Sequence, residues 1–402
     1  MKSGARLLPN FGAEEGPDWR QRLRHPTVAA AARLWRCMFG PSSLLLESDL
    51  PEPSWPERLG SPPDRPVFTW LEDSGGFVPW LWTAEAAAAS GMPDESLVAA
   101  VREVHDKAFA HCVARRRELL PRELAELITV VEPENLRASE DALRWLEVQL
   151  DRWPGWAKRR FVLKPRWGSS GRGCVQGRSG RLDSDEIRGA LPRLAERGGA
   201  LLEPWLERTS DLSAQLHLDR GGAIRMLGTL ELVVSPAGLY LGHRGGIDSK
   251  GRVYSESVHD EALREAAADA ADSARERGFH GPCGVDAFAY RDENQCTVLR
   301  PIVEFNARFT MGTIVIGLLR RALPTLRQVL GLEPGTRSFF YFGLDAPRQP
   351  WEDVLATAGS GAWLVPLWRN GERVRPAFLF APNHAALDPV VARARSKSFR
   401  PS

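Results

Sequence analysis

The chain of 402 residues is long enough for two or three domains with sizeable cores. Its 53 basic and 51 acidic residues nearly cancel, which argues against an electrostatic grip on nucleic acid or a membrane surface; a basic run such as Arg115-Arg116-Arg117 reads as a solvated helix face. Five scattered cysteines, with neither a CxxC pair nor Cys/His metal spacing, argue against a disulfide scaffold and read as reduced thiols of a cytoplasmic protein.

In chain order, the N-terminal MKSGARLLPNFGAEEGPDW lacks the apolar stretch of a signal peptide. Residues 26–39 have a helical pattern. SLLLES and PVFTW read as short buried strands joined by a Pro-rich loop. Residues 94–120 predict one long amphipathic helix or a broken pair, started at Pro93-Asp94 and stopped by Pro121. LITVVEP is a strand, and Ser139–Arg152 a helix with Ser139 as N-cap. FVLKP is a strand followed by a Gly-rich loop and a partner strand near CVQG. A helix over 183–197 is opened by Asp183 or Ser184, and ALLEPWL is a strand running into a turn. SAQLHLD and IRMLGTLELVVS are strands about the turn Asp219-Arg220-Gly221-Gly222. Residues 259–277 form an Ala-rich helix ended by Gly278, and GVDAFAY and CTVLRPIVEFN are strands. The apolar stretch 313–332 is interrupted by Arg320, Arg321, Pro324 and Arg327, so it is a packed helix rather than a membrane span. The tail carries a hairpin turning at Asn370-Gly371.

Four stretches carry candidate chemistry. In FVLKPRWGSSGRG (161–173) a strand ends in Lys164 and opens into a Gly/Ser loop, which suits either a polyphosphate cradle or the flexible tip of a hairpin. The loop is neither a Walker A motif, whose lysine closes the loop, nor a GxGxxG fingerprint. Glu203 ends the ALLEPWL strand. Asp286 sits on GVDAFAY. Glu304 and Asn306, two apart in PIVEFNARF, share one face of a strand and form a hard-oxygen pair suited to Mg²⁺; Arg308 joins them if the strand runs that far. Ser-His-Asp or Cys-His catalysis has no local signature. His217 reads as a structural histidine, and Cys174 and Cys283 as small apolar residues.

The order of these parts over roughly residues 100–320 resembles the ATP-grasp superfamily of carboxylate–amine ligases, in layout the D-alanine–D-alanine ligases and biotin carboxylases. VLKP with GSSGRG looks like the family's phosphate-covering lid loop, LLEPWL like its adenine hinge, VEFNAR like its E-x-N-x-R metal strand, and HDKAFAH (105–111) like the Asp-Lys upstream of the lid. The implied fold is α/β (α+β): an N-terminal pre-ATP-grasp α/β subdomain over 1–104, a central lid subdomain over 105–202, a C-terminal ATP-grasp half over 203–334, and an appended αβ segment over 335–402.

The resemblance implies ATP and two Mg²⁺ ions, with Mn²⁺ as a substitute. Lys164, Ser169, Ser170 and Gly171 would meet the phosphates, and Lys107 would be a second phosphate lysine unless it is simply an exposed helix residue. Glu203 would accept from the adenine amino group, backbone groups of Trp205 and Leu206 would complete the base edge, and Asp211 would bond the ribose. Asp286, Glu304 and Asn306 would hold the metals, and Arg308 would stabilise the transferred phosphoryl group. His243 and Arg244 lie where family members place substrate groups; otherwise they belong to a Gly-rich loop. The 18 residues from Asp286 to Glu304 exceed the family's usual spacing and include Pro301, so a loop at Arg291–Gln295 or a bulge near Arg300-Pro301 is expected. Pro204 offers no N–H after the hinge glutamate. The implied reaction joins a small-molecule carboxylate to an amine through an acyl phosphate, with no nucleic acid or membrane partner and a homodimer allowed. The alternatives are a phosphotransferase without an amine acceptor and a non-catalytic ATP-binding regulatory module.

Overall fold

In a computed structural model of the chain, the described residues are 5–40, 43–46, 55, 59, 66–71, 76–91, 94–157, 160–168, 171–182, 184–236, 238–344, 351–359, 361–368 and 372–396. Three short parallel strands open the fold, β1 (Arg6–Leu8) lying between β2 (Leu44–Leu45) and β3 (Phe77–Pro79). Strands of two or three residues are too short to show an alternating period. PVFTW, expected as a strand, instead ends in a tight 3-10 turn, Thr69–Leu71. The helix Pro26–Arg36 starts on proline, whose fixed φ suits a first turn. Its Trp35 meets Trp80 and Phe309 edge-on, at ring-centroid distances of 5.8 and 5.4 Å, so this N-terminal layer packs into the C-terminal half.

A second, antiparallel sheet has the order β4-β7-β5-β6, from β4 (Thr129–Val131), β5 (Phe161–Pro165), β6 (Val175–Gly177) and β7 (Ala200–Pro204). The helices Ser139–Asp151 and Asp185–Glu196 accompany it. Ser184 caps the latter, its Oγ accepting from the Ile187 N–H at 3.3 Å, while Asp183 lies outside the described residues. Ser139 is the first helical residue rather than the cap. The 94–120 segment is a broken pair, Glu95–Val104 and Lys107–Arg116. Asp106 divides them and caps the second helix by accepting from the Ala108 N–H at 2.8 Å. This second helix packs on the large sheet described next, with Phe109 edge-on to Phe305 at 5.7 Å.

The remaining strands form a nine-stranded sheet among the described residues: β8 (Arg208–Leu218), β9 (Ile224–Val234), β10 (Tyr240–Asp248), β11 (Val253–Tyr254), β12 (Gly281–Arg291), β13 (Thr297–Asn306), β14 (Arg337–Gly343), β15 (Trp363–Pro366) and β16 (Ala377–Ala381). Their order is β13-β12-β8-β9-β10-β14-β16-β15, with β11 on β10. The 335–402 segment therefore continues the central sheet, adding its own small core around Trp351, Leu379 and Val390. β15 and β16 pair antiparallel as a hairpin requires; Asn370 and Gly371 lie outside the described residues. The helix Asp260–Arg275 buries Ala266, Ala267, Ala270, Ala271 and Ala274, the spacing of one helical face. Among the described residues no helix is long and apolar enough to cross a membrane.

The glycines of YLGHRGG serve strand packing. Gly242 and Gly245 lie inside β10, where a Cβ would stand 2.0 Å from the Phe342 carbonyl oxygen and 2.4 Å from that of Tyr254. Gly242→Ala should therefore destabilise the fold by about 1–3 kcal/mol. Gly155→Ala, where a Cβ meets nothing within 4 Å, should stay within about 0.5 kcal/mol of wild type. Urea denaturation of both variants checks this, and equal midpoints would contradict the close approach.

Candidate active site

Asp286 on β12 is the direct cross-strand partner of Glu304 on β13. Asn306, two residues on, shares their face. The long spacing between the carboxylates is absorbed as expected: β12 and β13 join by a turn at 292–296, and two residues of β12 (Asp286 to Phe288) span four of β13 (Arg300 to Glu304). Pro301 falls in this bulge on an edge strand, where its missing N–H costs no ladder bond, so the strand runs through it. The strand ends at Asn306, before Arg308.

The pair is crowded with like charge. Burial and then the neighbouring Glu304 charge push the Asp286 carboxyl upward. Burial would raise Glu304 as well, but Lys107, His105 and Arg308 outweigh it and hold its carboxyl below the usual range. Asp286 is oriented from behind: Ser213 Oγ donates to Oδ1 at 2.7 Å, and the buried Gln215 Nε2 donates to Ser213 Oγ at 2.7 Å. Asn306 Nδ2 donates to Asp286 Oδ2 at 3.0 Å. A half-turn of that amide presents its oxygen instead. Two carboxylates and an amide oxygen, one carboxylate driven toward protonation by burial and its charged neighbour, fit a hard divalent ion such as Mg²⁺. Among the described residues no group of three or more acidic, His or Cys side chains converges as a metal centre.

Lys107 is buried, not an exposed helix residue. Its Nζ donates to the Gly168 carbonyl at 2.8 Å and meets Glu304 Oε1 at 3.2 Å, joining the loop after β5 to the carboxylates. The root of that loop is fixed by Arg166, which donates to Asp106 through Nε and Nη2 and to Glu132 through Nη1. Gly171 takes the left-handed conformation (φ 70°) that favours glycine. Ser169 and Ser170 lie outside the described residues. Arg172 turns to the N-terminal layer, where its Nε donates to the buried Glu15 at 2.9 Å. His105, which sequence reasoning missed, accepts from the Ala307 N–H through Nδ1 at 3.1 Å. Its proton is then on Nε2, a buried donor without a partner. Burial first and Arg308 second depress the ring to about 3, so it is neutral at pH 7. Burial pushes the Cys174 and Cys283 thiols up, in keeping with inert roles.

Lys164 reaches Glu203 across β5 and β7, and Arg300 reaches the same carboxylate from β13. Glu203 and Arg300 are each 2 % exposed. Burial alone would raise Glu203, but Arg300 and Lys164 outweigh it and hold the carboxyl well below the usual range. Both oxygens expected to face an adenine are thus engaged by cations. The Trp205 N–H is also used, donated to the Arg160 carbonyl at 2.9 Å. Beside the hinge opens a cleft of about 830 Å³ with Trp205, Leu206 and Asp211 in its wall. Asp211 accepts from Arg208 Nη1 at 2.7 Å, and the Arg208 guanidinium lies over the Phe288 ring at 4.5 Å.

Arg308 pairs with the buried Glu14, Nε to Oε1 at 3.3 Å, and borders a cavity of about 350 Å³. His243 and Arg244 are not brought to this group. They lie on β10, well away from β13 in the strand order, with His243 Nδ1 2.7 Å from the Tyr240 hydroxyl and Arg244 paired to Glu231 and Asp388.

No family model and no curated protein matches the chain. Among solved structures it is similar to N5-carboxyaminoimidazole ribonucleotide synthetase from Thermus thermophilus at 16% identity and a TM-score of 0.52 over 99% of each chain. It is also similar to the carboxyaminoimidazole ribonucleotide synthase of Aspergillus clavatus complexed with ATP, at 15% identity and a TM-score of 0.51 over 98% of this chain and 99% of that one. A third likeness is to the pyruvate carboxylase of Rhizobium etli, at 15% identity and a TM-score of 0.51 over 100% of this chain and 38% of that one. At these identities the likeness is one of fold.

The Glu203 arrangement generates a prediction. Glu203→Gln leaves Lys164 and Arg300 buried without a counter-charge and should cost about 3–5 kcal/mol of stability. Chemical denaturation reads this directly. An unchanged midpoint with weakened nucleotide binding would instead make Glu203 a contact to the base.

Proposed function

The chain has the ATP-grasp fold, and on that premise we propose that it is an ATP-dependent carboxylate–amine ligase. The observation that carries the reading is the Asp286–Glu304 pair with Lys107 and Arg308 beside it. Two neighbouring carboxylates out of water are costly, and cations plus a bound polyphosphate would relieve the repulsion.

In this reading Lys107 uses its third N–H for a phosphate oxygen, and the Gly168–Gly173 loop supplies backbone donors. His105, neutral and with an unpartnered Nε2–H, donates to an anion without bringing charge. Asp286, Glu304 and Asn306 would hold divalent ions, which would supply charge neutralisation to the phosphates. A substrate carboxylate oxygen attacks the γ-phosphorus and the bond to ADP breaks. Arg308 stabilises the carboxylate and then the acyl phosphate made from it. The amine nitrogen next attacks the acyl carbon, phosphate leaves with the C–O bonding pair, and the nitrogen loses a proton. Lys164 and Glu203 set the floor beneath the nucleotide, and the cleft beside Trp205, Leu206 and Asp211 receives the base and ribose.

The test is ADP release from ATP and Mg²⁺ in the presence of mixed carboxylates and amines, with mass analysis for a condensed product. Glu304→Gln should slow turnover about 100-fold or more while ATP affinity changes far less. Wild-type turnover in Glu304→Gln would overturn the reading.

A further inference from the structure

We infer that the cavity beside Arg308 takes the body of an aromatic carboxylate, so that the acid activated by this enzyme carries an aryl group. The inference rests on the ligase reading for the word activated, but the cavity's ligand class stands on its own observations.

The cavity of about 350 Å³ has the size of a small-molecule site. Trp70, Phe77, Trp80, Trp82, Phe279 and Phe309 line it. Such walls favour planar rings, which can stack or meet edge-on. Two hydrogen bonds tether the wall. Phe309 N–H donates to the Trp80 carbonyl at 3.3 Å, and the buried Asn10 bonds the Leu81 carbonyl at 2.8 Å.

The polar groups narrow the class. His217 stacks on Trp70 at 4.0 Å with an interplanar angle of 15°. Its Nδ1 is buried without a partner, and burial, with Arg225, depresses the ring to about 4. It offers one hydrogen-bonding atom and no charge at pH 7. The lining carboxylate, Asp219, is already engaged: Oδ1 accepts from the Ala223 N–H at 2.8 Å and Oδ2 lies 3.4 Å from Arg225. The lining thus sets two arginines against one carboxylate, a balance that favours an anion over an ammonium. Arg308 and Arg220 are the cations of the wall; Arg308 spends Nε on Glu14 at 3.3 Å and Nη1 on the Phe309 carbonyl at 2.9 Å, which leaves Nη2 for a ligand. An aryl acid with its ring in the cavity therefore directs its carboxylate to an arginine two residues past Asn306, the end of the strand that carries Glu304.

Tryptophan fluorescence and thermal-shift titration of the full chain, without nucleotide, test this. The probes are 3-phenylpropanoate and indole-3-propanoate, against propanoate, succinate and 3-phenylpropylamine. The aryl acids should bind saturably, about tenfold or more tighter than each control. Trp82→Ala, at a half-buried position of the wall, should weaken them about tenfold while the circular dichroism spectrum stays that of the folded protein. Propanoate or the amine binding as well as the aryl acids would overturn the inference. Aryl-acid binding with no ADP release from MgATP would keep the cavity's ligand class and overturn the ligase reading. ADP release driven by small polar acids, with no aryl-acid binding, would do the reverse.

Discussion

Two carboxylates set opposite each other on neighbouring strands and held out of water cannot both carry charge unless cations stand close by. Much of the architecture answers that constraint. The bulge at Pro301 puts Glu304 in register with Asp286. The break at Asp106 starts a helix whose first residue, Lys107, lands on Glu304 and on the lid-loop carbonyl of Gly168. The N-terminal layer sends Glu14 to hold Arg308 and Glu15 to hold Arg172, so one short turn fixes both a candidate phosphoryl-binding arginine and the edge of the loop. Burial and the Glu304 charge together push the Asp286 carboxyl upward, the surroundings in which a divalent cation binds well.

The second buried ion cluster follows a different rule. Glu203 has two cations for one charge, and its surroundings hold it ionised. Lys164 is pushed down by burial in turn. Such a cluster ties three strands from two sheets, β5, β7 and β13, at the point where the chain passes from one sheet to the other. A hinge anchored by buried charge is specific in register, because a slip of one residue would strand a charge on the wrong face.

The sequence made the order of the parts legible because their chemistry is local. Glu304 and Asn306 read as a pair because a strand repeats every two residues, and the hairpin excess was visible from spacing and a proline. His105 was not legible, since its role depends on an Ala307 N–H far away in sequence. Arg300 looked like one more polar residue before a proline, and only the approach of the four-stranded sheet makes it the partner of Glu203. Glu14 and Glu15 lay in a stretch read only for what it lacked. GHRGG looked like a loop because its glycines were counted as flexibility; two of them are required by neighbouring carbonyl oxygens inside a strand. PVFTW had strand-like composition, but so short a run of aromatic and branched residues carries no period, and packing chose a turn.

The most direct measurement of the central claim, that the Asp286–Glu304 pair and Lys107 form a metal–polyphosphate site, is calorimetric titration of ATP in Mg²⁺ and again in excess EDTA. The account predicts saturable binding in Mg²⁺ that weakens about tenfold or more in EDTA. Absence of binding in Mg²⁺, or equal affinity in both buffers, would contradict it.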